Sequence, residues 1–384
     1  MGRRATLLSE CYKSGMSLSP VAEAGGGLRL LGTAWKVLRL LFALWLFVGA
    51  LQLLKEGASG LALFEQGGVL VRNAVSTLGL GWIGAMLTLS GSPAVATALT
   101  LRAEGHISEV QGFTMATGGR MGAAFVVLLV AVLFAARRDE GKRMAPISTA
   151  VMTLVITFAM YIPGALIGLL LLRSGSFQGL SLASPPAFGD LIEVVYGGIV
   201  ETVATWPAPI LFLGGLVILV ISFKLIDALV PELDESRFEG SRLMWLRSKW
   251  PMFGLGILVT IVTMSVSVAL TVLVPLVGKG YVKREDLIPY IIGADIGTLV
   301  DKLLIAFIVG AGSLHPASPV RIIFAELVGI TLIGLLIMAF VYKPFKRAIW
   351  RFQRQMVKNK GRLALFTGGL LVTPIAIILA AALV

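Results

Sequence analysis

Arg120 and Asp295 are ionisable side chains set in long apolar segments, 175 residues apart. On insertion scales each costs about 2.5–3.5 kcal/mol at a helix centre in a bilayer, so both should face protein or a water-filled cavity and find partners. An arginine presents a planar fork of donors that fits a carboxylate or a phosphate. An aspartate presents oxygens for a cation, or a place for a proton. Two readings follow. Arg120 contributes to an anion site and Asp295 to a cation site, each neutralising the other when empty; or the two form a permanent ion pair that joins two halves of the chain.

The hydroxyl groups recur with the same offset. Residues 70–123 repeat as 245–298 without a gap, with identity at Arg72/Arg247, Gly79/Gly254, Leu80/Leu255, Gly81/Gly256, Thr88/Thr263, Ser90/Ser265, Ser92/Ser267, Ala94/Ala269, Leu101/Leu276, Gly105/Gly280, Gly118/Gly293 and Gly122/Gly297. Shared Leu and Ala carry little weight in so apolar a chain. The Thr-x-Ser-x-Ser pattern and the following Gly-x-x-x-Gly carry more. Polar, Gly-rich breaks at matching places in two hydrophobic halves mark a transporter whose site lies between repeats; shared ancestry without a joint site is the alternative. Serines two apart diverge by about 200° on a helix but share a side in an extended or unwound segment. Gly91 and Pro93 favour such a break in the first repeat, whereas Val266 and Val268 stand there in the second. Ser90, Gly91, Ser92, Ser265, Ser267 and Arg120 are therefore the candidate anion ligands. Thr88, Thr263, Asp295 and Thr298 are the candidates for a coupling ion. Ser and Thr also pack commonly between membrane helices, as do glycines four apart.

The elements that must hold these residues are membrane helices. Apolar residues make up 57% of the chain and charged ones 14%, with a mean hydropathy of +0.91. Soluble domains average about 25% charged residues. Apolar runs long enough to cross a hydrocarbon core recur throughout. Full spans are expected from about residue 40 and near 110–136, 147–172, 208–230, 288–310, 320–342 and 363–384. Two shorter pairs, 60–78 with 81–101 and 241–253 with 254–277, read as re-entrant hairpins turning at the shared Gly-Leu-Gly. Residues 1–30 read as a basic, poorly ordered tail with room for a short helix.

Charge orients the spans. Residues 343–362 hold Lys343, Lys346, Arg347, Arg351, Arg354, Lys358, Lys360 and Arg362 and no acid, and residues 137–143 are basic too. Residues 174–205 hold Asp190, Glu193 and Glu201 and no Lys or Arg. Seven crossings and two hairpins put the N-terminus and every basic segment in the cytoplasm, with 174–205 and the C-terminus outside. Three crossings separate the repeats, so the second is upside down relative to the first. The expected fold is an all-α polytopic membrane protein with two inverted-topology repeats, re-entrant helical hairpins and about seven full spans. Its divisions are a tail (1–30), repeat 1 (31–173), an extracellular connection (174–205), repeat 2 (206–342) and a basic cytoplasmic segment with the final span (343–384).

The halves resemble the sodium/phosphate cotransporter family of type II-like Na/Pi symporters. There each repeat carries Gln-Ser-Ser-Ser in a hairpin, followed by Gly-Ala-Asn-Ile-Gly-Thr. Leu89-Ser90-Gly91-Ser92 and Met264-Ser265-Val266-Ser267 occupy the first motif. Gly118-Gly119-Arg120-Met121-Gly122-Ala123 and Gly293-Ala294-Asp295-Ile296-Gly297-Thr298 occupy the second. The resemblance covers roughly residues 40–310. It implies phosphate held by hairpin serines and backbone amides between the halves, sodium nearby as the coupling ion, import by alternating access across the plasma membrane, and no cofactor. The chain departs from the pattern at both glutamines (Leu89, Met264), at one serine per hairpin and at both asparagines (Arg120, Asp295). Proton coupling through Asp295, another inorganic anion, and a non-transporting membrane receptor or scaffold of the same fold are the alternatives.

Other intramembrane charges carry less. Asp301 and Lys302 are neighbours expected to point apart, with Asp301 on the pathway or paired with Lys224. Lys224 and Asp227 suit a local helical pair. Snorkelling accounts for Arg321 at a span end, and Glu326 lies deeper without an evident reason. Cys11 is the single cysteine, and His106 and His315 are isolated, which argues against disulfides and a metal centre. No phosphate loop, metal-ligand histidine pair or Ser–His–Asp grouping suggests an enzyme. No interleaved aromatics suggest nucleic acid.

Overall fold

The computed structural model describes residues 21–60, 68, 70–136, 144–179, 186–228, 248–263 and 287–383. They form helices throughout: α1 (Val21–Ser59), α2 (Ala74–Thr88), α3 (Gly91–Ala103), α4 (Glu109–Ala136), α5 (Met144–Arg173), α6 (Pro186–Val203), α7 (Ala208–Asp227), α8 (Lys249–Thr263), α9 (Leu287–Gly310), α10 (Ser318–Leu336), α11 (Tyr342–Lys358) and α12 (Lys360–Leu383). A π-helical turn, Ile337–Val341, joins α10 to α11.

Among the described residues six stretches are long and apolar enough to cross a membrane: Trp35–Ser59, Glu109–Leu129, Ile147–Arg173, Ala208–Ile226, Ser318–Lys358 and Gly361–Ala381. The chain is a multi-pass membrane protein. The seventh expected span, 288–310, is the helix α9, but Asp295, Asp301 and Lys302 set it apart from the apolar six, and most of it is buried in protein. Helix α1 already begins at Val21, inside the stretch read as a tail, and the connection 174–205 contains α6, tied to α1 by the Tyr196 hydroxyl donating to the Trp45 carbonyl at 2.7 Å.

Glycines set how closely these helices approach. A Cβ at Gly81 would lie 1.9 Å from the Met115 carbonyl oxygen, one at Gly118 2.0 Å from that of Leu78, and one at Gly122 2.3 Å from that of Trp82. Helices α2 and α4 are thus in backbone contact. The same three contacts recur 175 residues on, between α8 and α9: Gly256 to Tyr290 (2.1 Å), Gly293 to Phe253 (2.1 Å) and Gly297 to Ile257 (2.7 Å). Small residues let membrane helices pack this tightly, since no hydrophobic drive holds them together in lipid. Helices α5 and α10 meet likewise, with a Cβ at Gly329 falling 2.1 Å from the Gly164 carbonyl oxygen.

The Gly-Leu-Gly sequences are not turns. Helix α2 runs straight through Gly79–Gly81, and α8 through Gly254–Gly256, because these glycines face a neighbouring helix or leave the backbone undisturbed. The first hairpin turns instead at Leu89–Ser90. Asn73 caps the start of α2 by accepting from the Val75 and Ser76 amides, and Leu89 ends it in a left-handed conformation (φ 54°). Leu89 is the one non-glycine residue with positive φ among those described. Such a conformation costs a leucine about 1–3 kcal/mol and persists only where its surroundings enforce it. The stretch expected to turn in the second repeat, with Ser265 and Ser267, lies outside the described residues.

Candidate functional site

Helix α3 has 13 residues, about 20 Å at 1.5 Å per residue and too short for a 30 Å hydrocarbon core. All of it but Ser92 and Arg102 is buried. Its C-terminal end is anchored by polar contacts. Lys55 of α1 pairs with Glu104 at 3.0 Å, and the His315 amide donates to the Ala103 carbonyl at 3.0 Å. Arg102 donates to the Ser318 hydroxyl (2.9 Å), which donates to Glu109 (2.9 Å), and Glu109 pairs with Arg321 at 3.0 Å. Arg321 is therefore ion-paired rather than snorkelling. In the same loop burial lowers the His106 imidazole from its ordinary value, opposed by the charge of Glu104.

The other end of α3 opens into a cavity of about 260 Å³. Thr88, Leu89, Ser90, Gly91, Ser92 and Pro93 line it from the hairpin, Arg120 from α4, Thr153 and Thr157 from α5, Lys224 from α7, and Asp295, Thr298, Asp301 and Lys302 from α9. Ser90 is the N-cap of α3 in extended backbone (φ −157°), and its hydroxyl caps no amide. The first amides of a helix have no intrahelical acceptor, and the helix dipole favours an anion there. Ser90 and Ser92 thus meet the cavity beside donors of the backbone.

Arg120 and Asp295 face each other. The guanidinium and the carboxylate are 3.6 Å apart, both buried. That is an ion-pair distance, longer than the 2.7–2.9 Å of a charge-assisted hydrogen bond, so the arginine fork is not closed on the carboxylate. Helix α5 bridges the two. Tyr161 accepts from Arg120 Nε at 3.0 Å and donates to the Asp295 backbone carbonyl at 3.3 Å, while Thr157 donates to Asp295 Oδ2 at 2.9 Å. The Tyr161 ring also lies under the guanidinium, 5.3 Å from its carbon. Tyr161 and Thr157 are absent from the candidates above. Their signal was present: Thr149, Thr153, Thr157 and Tyr161 form a four-residue spacing along one face of an apolar helix.

The remaining candidates divide. Thr88 lines the cavity, but its hydroxyl lies 2.8 Å from the Gly84 carbonyl and 2.9 Å from that of Ser90, holding the helix break. Thr298 is buried one turn beyond Asp295 and lines the cavity, and Thr263 is buried at the end of α8. Asp301 and Lys302 do not point apart: Lys302 Nζ donates to Asp301 Oδ2, because the lysine stem is long enough to fold back onto its neighbour. Lys224 is exposed at the cavity wall and makes no ion pair with Asp301, and the side chain of Asp227 lies outside the described residues. Glu326 of α10, fully buried, accepts from Thr117 at 3.0 Å, one turn before Arg120, and its Oε2 has no partner among the described residues.

No curated protein and no solved structure matches the chain significantly. A family model does: from the end of α7 into α12, around the helix that carries Asp295, residues 218–371 match the model of the Na+/Pi-cotransporter family.

Proposed function

We propose that the protein is a secondary active transporter that imports phosphate with sodium by alternating access between two inverted repeats. The single observation carrying this reading is the central cavity, where Arg120 of one repeat segment meets Asp295, its counterpart at an offset of 175, beside the N-terminus of α3. Phosphate would take the Arg120 fork, the Ser90 and Ser92 hydroxyls and the first amides of α3. Asp295 and Thr298 would supply oxygens for the coupling ion, with Thr88 and Thr263 positioning the helix breaks. Ser265 and Ser267 would complete the anion site from the second hairpin.

The repeat reading draws on the duplicated glycine contacts and on matching bounds. Ala74–Thr88 and Lys249–Thr263 are both 15 residues and lie 175 apart. Three crossing helices between them, α4, α5 and α7, would invert the second copy, and the hairpins would then be re-entrant from opposite faces. A second reading, proton coupling, is favoured by the buried Glu326 oxygen without a partner among the described residues, since an unpaired buried charge is more costly than a neutral carboxyl.

Uptake of radiolabelled phosphate into proteoliposomes, with sodium and proton gradients imposed separately, tests both. Sodium-driven uptake is expected, with Arg120→Asn raising the phosphate KM at least tenfold. Uptake under the proton gradient alone would select the second reading. A folded protein with no uptake under either gradient would end the phosphate assignment, and unchanged affinity in Arg120→Asn would end the anion role of that residue.

A further inference from the structure

Helix α11 carries a feature that transport through the central cavity does not use. Lys343, Arg347, Arg351, Arg354 and Lys358 fall at intervals of four, four, three and four, which places them on one face of a helix. All five are exposed, and none has a carboxylate partner among the described residues. The opposite face is packed: Ile349 and Gln353 are buried, and Gln353 donates to Ser148 at the start of α5. The helix therefore holds its charged stripe outward by its own packing.

Its surroundings identify what the stripe faces. Phe340, just before α11, is 83% exposed and Leu365, just after it, 79% exposed. Phe340 belongs to the stretch Ser318–Lys358, whose last residues carry the stripe, and Leu365 to the stretch Gly361–Ala381, so the stripe lies between two exposed apolar surfaces. Lys346, Arg347, Trp350, Arg351 and Arg354 line a concavity of about 340 Å³ there, with the Arg354 guanidinium 5.3 Å from the Trp350 ring. Amphipathic tryptophan marks the headgroup level of a bilayer. Clustered cations at that level attract anionic headgroups.

We infer that the α11 stripe is a binding site for the phosphate headgroups of anionic phospholipids. The inference is independent of what the central cavity carries. The π-helical turn and Pro344 support it, since both bend helices and Val341 leaves helical backbone (φ −116°, ψ 16°) between α10 and α11. The charged face thus follows the headgroup layer from a fixed joint.

The test uses the full-length protein in mixed micelles of phosphatidylglycerol and phosphatidylcholine, with retained lipid counted by native mass spectrometry. The wild type should retain phosphatidylglycerol preferentially, and the preference should fall with added salt. At roughly 1 kcal/mol per basic side chain near an anionic surface, each charge removed should weaken retention about fivefold. The triple variant R347Q/R351Q/R354Q should thus lose it by on the order of 100-fold, whereas R347K/R351K/R354K should keep it, separating charge from misfolding. Equal retention of both lipids by the wild type, or wild-type retention in the glutamine variant, would overturn the inference. So would displacement of the lipid by inorganic phosphate but not by chloride at the same ionic strength, which would mark a site for the free anion.

Discussion

Arg120 and Asp295 pose the same physical problem whether they bind solutes or each other: two charges without bulk water must be compensated by protein. Thr157 and Tyr161 do part of this from α5, and the carboxylate does the rest. Removing one partner of a buried pair typically costs about 3–5 kcal/mol, because the other charge is stranded, whereas removing both costs much less. Asp295→Asn should therefore lower the melting temperature in detergent more than the double variant R120N/D295N does. A thermal double-mutant cycle with no coupling would refute the pairing as a contributor to stability. Arg120→Lys separates the pair's two uses. It keeps the charge but loses the planar fork, so stability should hold while phosphate KM rises; an unchanged KM would leave the pair as a joint only.

At the scale of helices, identity between repeats and structural constraint are different things. Gly81 and Gly256 both stand where a Cβ would meet a carbonyl oxygen at about 2 Å, but Gly254, equally shared with Gly79, has nothing within 4 Å of its Cβ position. Overpacking of this kind usually costs about 1–3 kcal/mol or more. Gly81→Ala and Gly256→Ala should lower the melting temperature or the yield of folded protein. Gly254→Ala should match the wild type or slightly exceed it, since alanine favours helix by about 1 kcal/mol over glycine. Equal behaviour of all three would remove the packing account. Helix α3 shows a related division of labour. Charged and backbone contacts hold its outer end, which leaves its inner end, Ser90–Ser92, fixed in the cavity without a side-chain cap.

For the whole molecule, orientation is the quantity on which the inverted-repeat reading turns. In a Cys11→Ser background, Asp190→Cys should react with a membrane-impermeant maleimide in intact cells. Arg354→Cys should react only after permeabilisation. Labelling of both from one side would break the count of crossings and with it the inversion. In that orientation the α11 stripe would lie against the cytoplasmic leaflet, whose anionic lipids it suits.

Composition alone made this a membrane protein, because no water-soluble core needs so many apolar residues, and a gapless duplication of polar and glycine positions pointed to Arg120 and Asp295 as partners. Both inferences rest on regularities that a linear chain carries: hydropathy along it and identity at a constant offset. The turn of the first hairpin was not legible, since a glycine that permits a bend and one that permits a close neighbour look alike until the neighbour is known. Nor was the reach of Lys302 to Asp301, or the bridging by Tyr161 and Thr157, for these depend on which helix faces meet. Only the packing of α5 between α4 and α9 decided that the two charges share one buried network at the mouth of a helix.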